Sequence, residues 1–84
     1  MSRFVWEPRA RAGLRGIDQE QALGILHALD RFGKTGAGDV RKLTGDKQGR
    51  VRIRVGNWRI ILRREGYDAF RVYSVDDRKD AYRT

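Results

Sequence analysis

Cysteine is absent from the 84 residues, so disulfides and thiol chemistry are excluded and the redox compartment is left open. The single histidine has no cysteine to share a metal with, which is a poor donor set for a transition-metal site, and no cofactor is expected. No signal-peptide core and no run of about 18 apolar residues occurs, so no membrane partner is expected and the cytoplasm is the expected location. A nucleotide-binding loop is missing too. Gly33-Lys34-Thr35 copies the end of one, but Ala28 stands where the first glycine belongs and a helix precedes it, so triphosphate binding is rejected.

Acidic residues are outnumbered: 19 Lys and Arg face 11 Asp and Glu, for a net charge of +8. That balance favours polyanions, with nucleic acid first, an acidic protein second and an anionic membrane surface third. Hydrophobic residues make up 39% and charged residues 36%, and apolar periodicity persists along most of the length, so the chain folds. Residues 1–84 are expected to form one small domain, which buries only roughly 60–70% of its unfolded surface.

The chain is organised around Arg50 to Leu62, which reads as a β-hairpin. Strict alternation marks Arg50 to Val55 as a strand, and Gly56-Asn57 is a type II′ turn signal because glycine tolerates positive φ at the first central position. That turn fixes the register: Val55 opposes Trp58, Ile53 opposes Ile60 and Val51 opposes Leu62, so these apolar side chains share one face. The other face sets Arg50, Arg52 and Arg54 against Arg63, Ile61 and Arg59. Opposed like charges disfavour a hairpin by about 0.2–1 kcal/mol per pair, and an anionic ligand relieves that repulsion. The face is therefore read as a phosphate-binding surface.

Before the hairpin, Arg3 to Glu7 reads as an opening strand, and Pro8 ends it and starts a short helix to Leu14 or Arg15, with Gly16 as breaker. A second helix follows Ile17, with Asp18 as N-cap and Gln21 completing a capping-box pattern, and runs to about Phe32 with Gly33 as C-cap. Ala22, Ile25, Leu26, Leu29 and Phe32, with Leu23 at the margin, form its apolar stripe, and Gly24 beside the stripe predicts a close backbone approach. His27 falls off the stripe and reads as a solvated surface residue. Arg9, Arg11 and Arg15 read as a solvated helix face. Val40 to Leu43 reads as a short strand and Asp46 to Gly49 as a polar loop. After a turn at Arg64 to Tyr67, Asp68 to Val75 reads as a long strand with Phe70, Val72 and Ser74 on one side and Ala69, Arg71, Tyr73 and Val75 on the other. The tail from Asp76 to Thr84 has no alternation, and either docks on the sheet or stays mobile.

An aromatic-x-Pro ending the first strand, two helices, Val-Arg-Lys-Leu, the hairpin Val-Gly-Asn-Trp-Arg-Ile-Ile-Leu, a further strand and the tail Asp-Arg-Lys-Asp-Ala-Tyr-Arg together resemble the RelE/ParE superfamily of bacterial toxins, over nearly the whole chain. The resemblance implies an α+β fold: an N-terminal strand, a two-helix hairpin, then an antiparallel sheet of three to four strands with a short C-terminal segment docked on it. It also implies a type II toxin–antitoxin system, with a cognate antitoxin as partner. In the RelE branch the toxin is an endoribonuclease, an mRNA interferase. It enters the ribosomal A site and cuts mRNA without a metal by 2′-OH attack on the adjacent phosphate, inhibiting translation. In the ParE branch it poisons DNA gyrase without cutting RNA.

Carried over by position, Arg52, Arg59, Arg78 and Tyr82 are the catalytic set that the resemblance implies. Arg50, Arg54, Arg63, Lys79 and Arg83 are its contacts to mRNA and ribosomal RNA. Guanidinium forks bind phosphate oxygens bidentately and stabilise a pentacoordinate transition state, so this set suits phosphodiester cleavage. Arginine does not give up its proton, which leaves Tyr82, Asp77 and Asp80 as candidate general bases. Asp76 and Asp77 are expected to pair with Arg78 or Arg71. The alternatives to a nuclease are a gyrase inhibitor without catalysis and a plain basic nucleic-acid-binding domain.

Overall fold

The hairpin forms as its pattern dictates. The computed structural model describes residues 2–77, in the order β1 (Arg3–Trp6), α1 (Pro8–Arg15), α2 (Gln19–Thr35), β2 (Asp39–Lys42), β3 (Val51–Val55), β4 (Trp58–Arg64) and β5 (Ala69–Asp77). Gly56 has φ +59 and no other residue type among those described has positive φ, which is the type II′ signature. Val55 pairs with Trp58, Arg54 with Arg59, Ile53 with Ile60, Arg52 with Ile61 and Val51 with Leu62, as the sequence predicts.

Around this hairpin the chain builds one five-stranded sheet in the order β1-β5-β4-β3-β2. The four later strands are antiparallel neighbours, while β1 adds to the far edge parallel to β5, so the sheet is mixed. The helices occupy the sequence between β1 and β2 and cover one face. Ile53, Ile60, Leu62, Phe70, Val72 and Val75 meet Ile25, Leu29 and Ala10 in the core. Phe70 stacks on Phe4 with ring centroids 5.4 Å apart and meets Phe32 at the same distance. Neither helix is long and apolar enough to cross a membrane.

Helix α2 departs from its expected ends. It runs through Gly33 to Thr35 and closes at Gly36, whose φ of +75 lets its N–H reach the Phe32 carbonyl at 2.7 Å. Gly33 instead serves packing, since a Cβ there would stand 2.5 Å from Ser2 Oγ. Asp18 is the N-cap residue but its side chain makes no capping hydrogen bond, and Gln21 accepts a hydrogen bond from Trp58 Nε1 at 2.7 Å. The buried stripe is narrower than the spacing suggests, because Leu23 and Leu26 stay 46% and 38% exposed.

The last strand corrects a second expectation. Ile61 pairs with Ser74 but Leu62 pairs with Val72, so Tyr73 is an extra residue and β5 carries a bulge. Beyond it the alternation changes phase. Val75 joins Phe70 and Val72 in the core, and Ser74 moves to the face of Ile61. A strict period of two has no means of locating such an insertion.

The close approach expected at Gly24 is found elsewhere, for nothing lies within 4 Å of a Cβ built there. It occurs at Gly13, where a Cβ would come within 2.6 Å of the Val75 carbonyl oxygen as α1 crosses β5. These two helical glycines are expected to respond oppositely to alanine. Gly24→Ala should raise stability by about 0.5–1 kcal/mol through helix propensity, whereas Gly13→Ala should lower it by about 1–3 kcal/mol through the backbone clash. Urea unfolding of both variants checks the pair.

Candidate nucleic-acid interface

Because side chains alternate along a strand, burying Ile53 and Ile60 forces Arg52, Arg54 and Arg59 to the face opposite the helices. Strand β2 extends that face. Asp39 pairs with Arg54 and Arg41 with Arg52, while Val40 pairs with Ile53 toward the core. Together Asp39, Arg41, Arg52, Arg54 and Arg59 line a groove of about 350 Å³. Among the described residues four guanidinium groups share it with one carboxylate.

The charges in the groove are unevenly matched. Arg52 donates from Nη2 to Asp39 Oδ1 at 3.3 Å. Arg41, Arg54 and Arg59 have no ion pair among the described residues, and the Nε of Arg59 is buried with no hydrogen-bond partner there. Across the sheet Arg59 pairs with Asp76, whose carboxylate is 3.8 Å from Arg9 on α1. An anion entering the groove would meet the guanidinium donors of Arg41, Arg54 and Arg59, which make no ion pair among the described residues.

Elsewhere on the sheet Arg50 and Arg71 are occupied. Arg50 donates to Asp46 from its backbone N–H at 2.7 Å, from Nε at 3.1 Å and from Nη2 at 2.7 Å, closing the loop before β3. Its guanidinium also lies 5.4 Å from the Tyr73 ring centre, with Arg63 at 6.0 Å. Arg71 is held by Glu65 at 2.7 and 3.1 Å and by Glu7 at 3.2 Å rather than by Asp76 or Asp77, while the alternative partner expected for those aspartates, Arg78, lies outside the described residues. The hydrogen bonds from Arg50 hold the Asp46 carboxyl below its ordinary value, and the hydrogen bonds from Arg71 do the same for Glu65. Arg50 and Arg71 are raised by the same contacts.

Of the sequence-predicted residues, the fold brings Arg52, Arg54 and Arg59 into one groove. It places Arg50 beside Asp46, and Arg63 against Tyr73. Arg78, Lys79, Asp80, Tyr82 and Arg83 lie outside the described residues. Sequence reasoning missed Asp39 and Arg41. Their signal was the alternation around Val40, but only the pairing of β2 with β3 gives it meaning.

No protein-family model matches the chain, and no curated protein matches its sequence. Solved structures do. The RelB-RelE antitoxin-toxin complex from Methanococcus jannaschii superposes with a TM-score of 0.74 at 22% identity, covering 93% of this chain and 94% of that one. The toxin-antitoxin complex RelBE2 from Mycobacterium tuberculosis gives 0.75 at 16% identity, covering 92% and 98%. The YoeB dimer from Staphylococcus aureus gives 0.72 at 17% identity, covering 87% and 92%. The chain has the RelE fold. Nearly the full length of each neighbour is matched, so the likeness is one of the whole fold.

Within this RelE-like sheet the two clamps at Asp46 and Glu65 make stability depend on pH. Both acids have folded values below their ordinary 3.8 and 4.5, so their contribution is fully present above the ordinary values and is lost as pH falls through the lowered ones. The melting temperature is expected to hold between pH 8 and about 6 and to fall below about pH 4. The fall should be shallower in Asp46→Asn, as measured by circular dichroism melts across that range.

Proposed function

We propose that the protein is the toxin of a type II toxin–antitoxin pair, and that it acts as an mRNA interferase cutting mRNA in the ribosomal A site by metal-independent 2′-OH attack. The observation that carries the reading is the groove, where Arg54 and Arg59 are held side by side and neither makes an ion pair among the described residues. A protein that stores uncompensated cations at the centre of a sheet has a use for them. A phosphodiester in the groove would receive charge-assisted hydrogen bonds, and the second negative charge of the pentacoordinate transition state would strengthen them.

In this reading Arg59 grips the scissile phosphate, Arg52 is an electrostatic partner, and Arg54 and Arg41 hold flanking phosphates. Arg78 and Tyr82 are assigned by sequence position alone, as a second phosphate ligand and a group that stacks on a base or orients the nucleophile. Arg50, Arg63, Lys79 and Arg83 contact the surrounding RNA. The RelE neighbours from Methanococcus jannaschii and Mycobacterium tuberculosis are complexes with antitoxins, which supports a cognate antitoxin as this protein's partner. A chain of net charge +8 favours an acidic or amphipathic segment in that role.

Primer extension on mRNA in a translating extract, with gyrase supercoiling assayed in parallel, tests the proposal. New 5′ ends at A-site codons are expected with the wild-type protein and a loss of at least about a hundredfold in rate with Arg59→Ala, or about 2–4 kcal/mol of transition-state stabilisation. The variant should melt at or above the wild-type temperature, because it relieves the opposed pair with Arg54. Intact mRNA with inhibited supercoiling would move the protein to the gyrase-inhibitor reading.

A further inference from the structure

Across β2, β3, β4 and β5 the cross-strand partners form a single row, Asp39, Arg54, Arg59 and Asp76, running perpendicular to the strands. Neighbouring strands lie about 4.8 Å apart, so the row places two guanidinium groups between two carboxylates. The two acids differ in availability. Asp76 is turned to Arg9 on α1 and does not line the groove. Asp39 lines it, has a side chain 53% exposed, and uses only Oδ1, on Arg52, while Oδ2 has no hydrogen-bond partner among the described residues.

We propose that Asp39 is the general base that deprotonates the attacking 2′-hydroxyl, an inference that rests on the nuclease reading above. Every other described side chain lining the groove is an arginine, which cannot accept a proton, so Asp39 alone among the described residues there can do this work. The Nη2 donor of Arg52 holds the carboxylate by one oxygen and leaves the second free to accept a proton in a side chain that lines the groove. With the phosphate between Arg54 and Arg59, a 2′-hydroxyl at the Asp39 end lies on one side of phosphorus and the departing 5′-oxygen points away from it, as in-line displacement needs. The step then balances. The 2′-hydroxyl proton passes to Asp39 as the O2′–P bond forms and the P–O5′ bond breaks. The electron pair leaves on the 5′-oxygen, which takes a proton from water, and Asp39 returns its proton to solvent. A 2′,3′-cyclic phosphate and a 5′-hydroxyl result.

The test compares the full-length protein with Asp39→Asn, Asp39→Glu and Asp39→Ala in two assays: mRNA cleavage on programmed ribosomes, and binding to ribosomes carrying 2′-O-methyl mRNA that has no nucleophile. Asp39→Asn should lose cleavage by about a hundredfold or more, with binding unchanged or tighter because a negative charge has left the groove. Asp39→Glu should recover part of the rate, and added formate should restore part of the activity of Asp39→Ala, which a merely structural residue would not allow. Asp39→Asn cleaving within threefold of wild type, or losing binding in proportion to cleavage, would overturn the assignment. Wild-type protein that leaves mRNA intact would overturn the nuclease reading itself, and this one with it.

Discussion

Two arginines face each other across the middle of the sheet, and the hairpin holds them there. Arg54 opposite Arg59 costs about 0.2–1 kcal/mol, whereas full burial of a side chain such as Ile53, Ile60 or Leu62 on the reverse face contributes about 1.5–3 kcal/mol. The hydrophobic term wins by a wide margin. A slip of one residue would relieve the repulsion only by turning the arginines into the core, so the buried face and the two-residue turn at Gly56 lock the cationic face in place. The interaction that makes the groove useful is thus one the fold tolerates for the sake of the core beneath it.

Charge compensation over the sheet is selective. Arg50 and Arg71 are tied to Asp46, Glu65 and Glu7, and those clamps join loop to strand and β1 to β5. They serve the architecture. Arg41, Arg54 and Arg59 lie nearer the turn and the β2 edge, and the fold supplies them no acid of their own among the described residues beyond the single Asp39. A polyanion approaching this face would find the groove its strongest attraction, since the guanidinium groups at the clamped positions already donate to acids. The bulge at Tyr73 adds to the separation, because it sets an aromatic ring under Arg50 and Arg63.

How much of this was legible in the sequence follows the range of the interaction. The hairpin register could be read because the turn residues and the alternation are adjacent in the chain and agree. The α+β architecture could be read from the order of its elements. The bulge could not, because an extra residue at Tyr73 changes no local propensity and shows only when Ile61 and Leu62 choose partners on β5. Glycine was misread for a similar reason. Gly24 and Gly13 look alike on a helical wheel, yet only Gly13 meets a carbonyl, and that carbonyl belongs to Val75, far along the chain. Asp39 and Arg41 were passed over as the edge of a short strand until β3 gave them a face.

That last omission bears on the chemistry. Arginine keeps its charge at any pH a cell reaches, so a hairpin that carries only arginine can bind phosphate and stabilise a transition state but cannot start a proton transfer. For the proposed nuclease the base has to come from a different element, and among the described residues β2 is the strand that contributes an acid to the same groove. Its position at the sheet edge keeps the carboxylate half-exposed, which lets it reach a ligand, while Arg52 restrains its orientation. Separating the two tasks has a physical advantage. A lysine that must serve as both anchor and base has one amine for two tasks, whereas a carboxylate on the adjoining strand leaves the guanidinium groups to the phosphate alone. An arginine-only hairpin and an aspartate on the adjoining strand therefore belong to one solution of the same electrostatic problem.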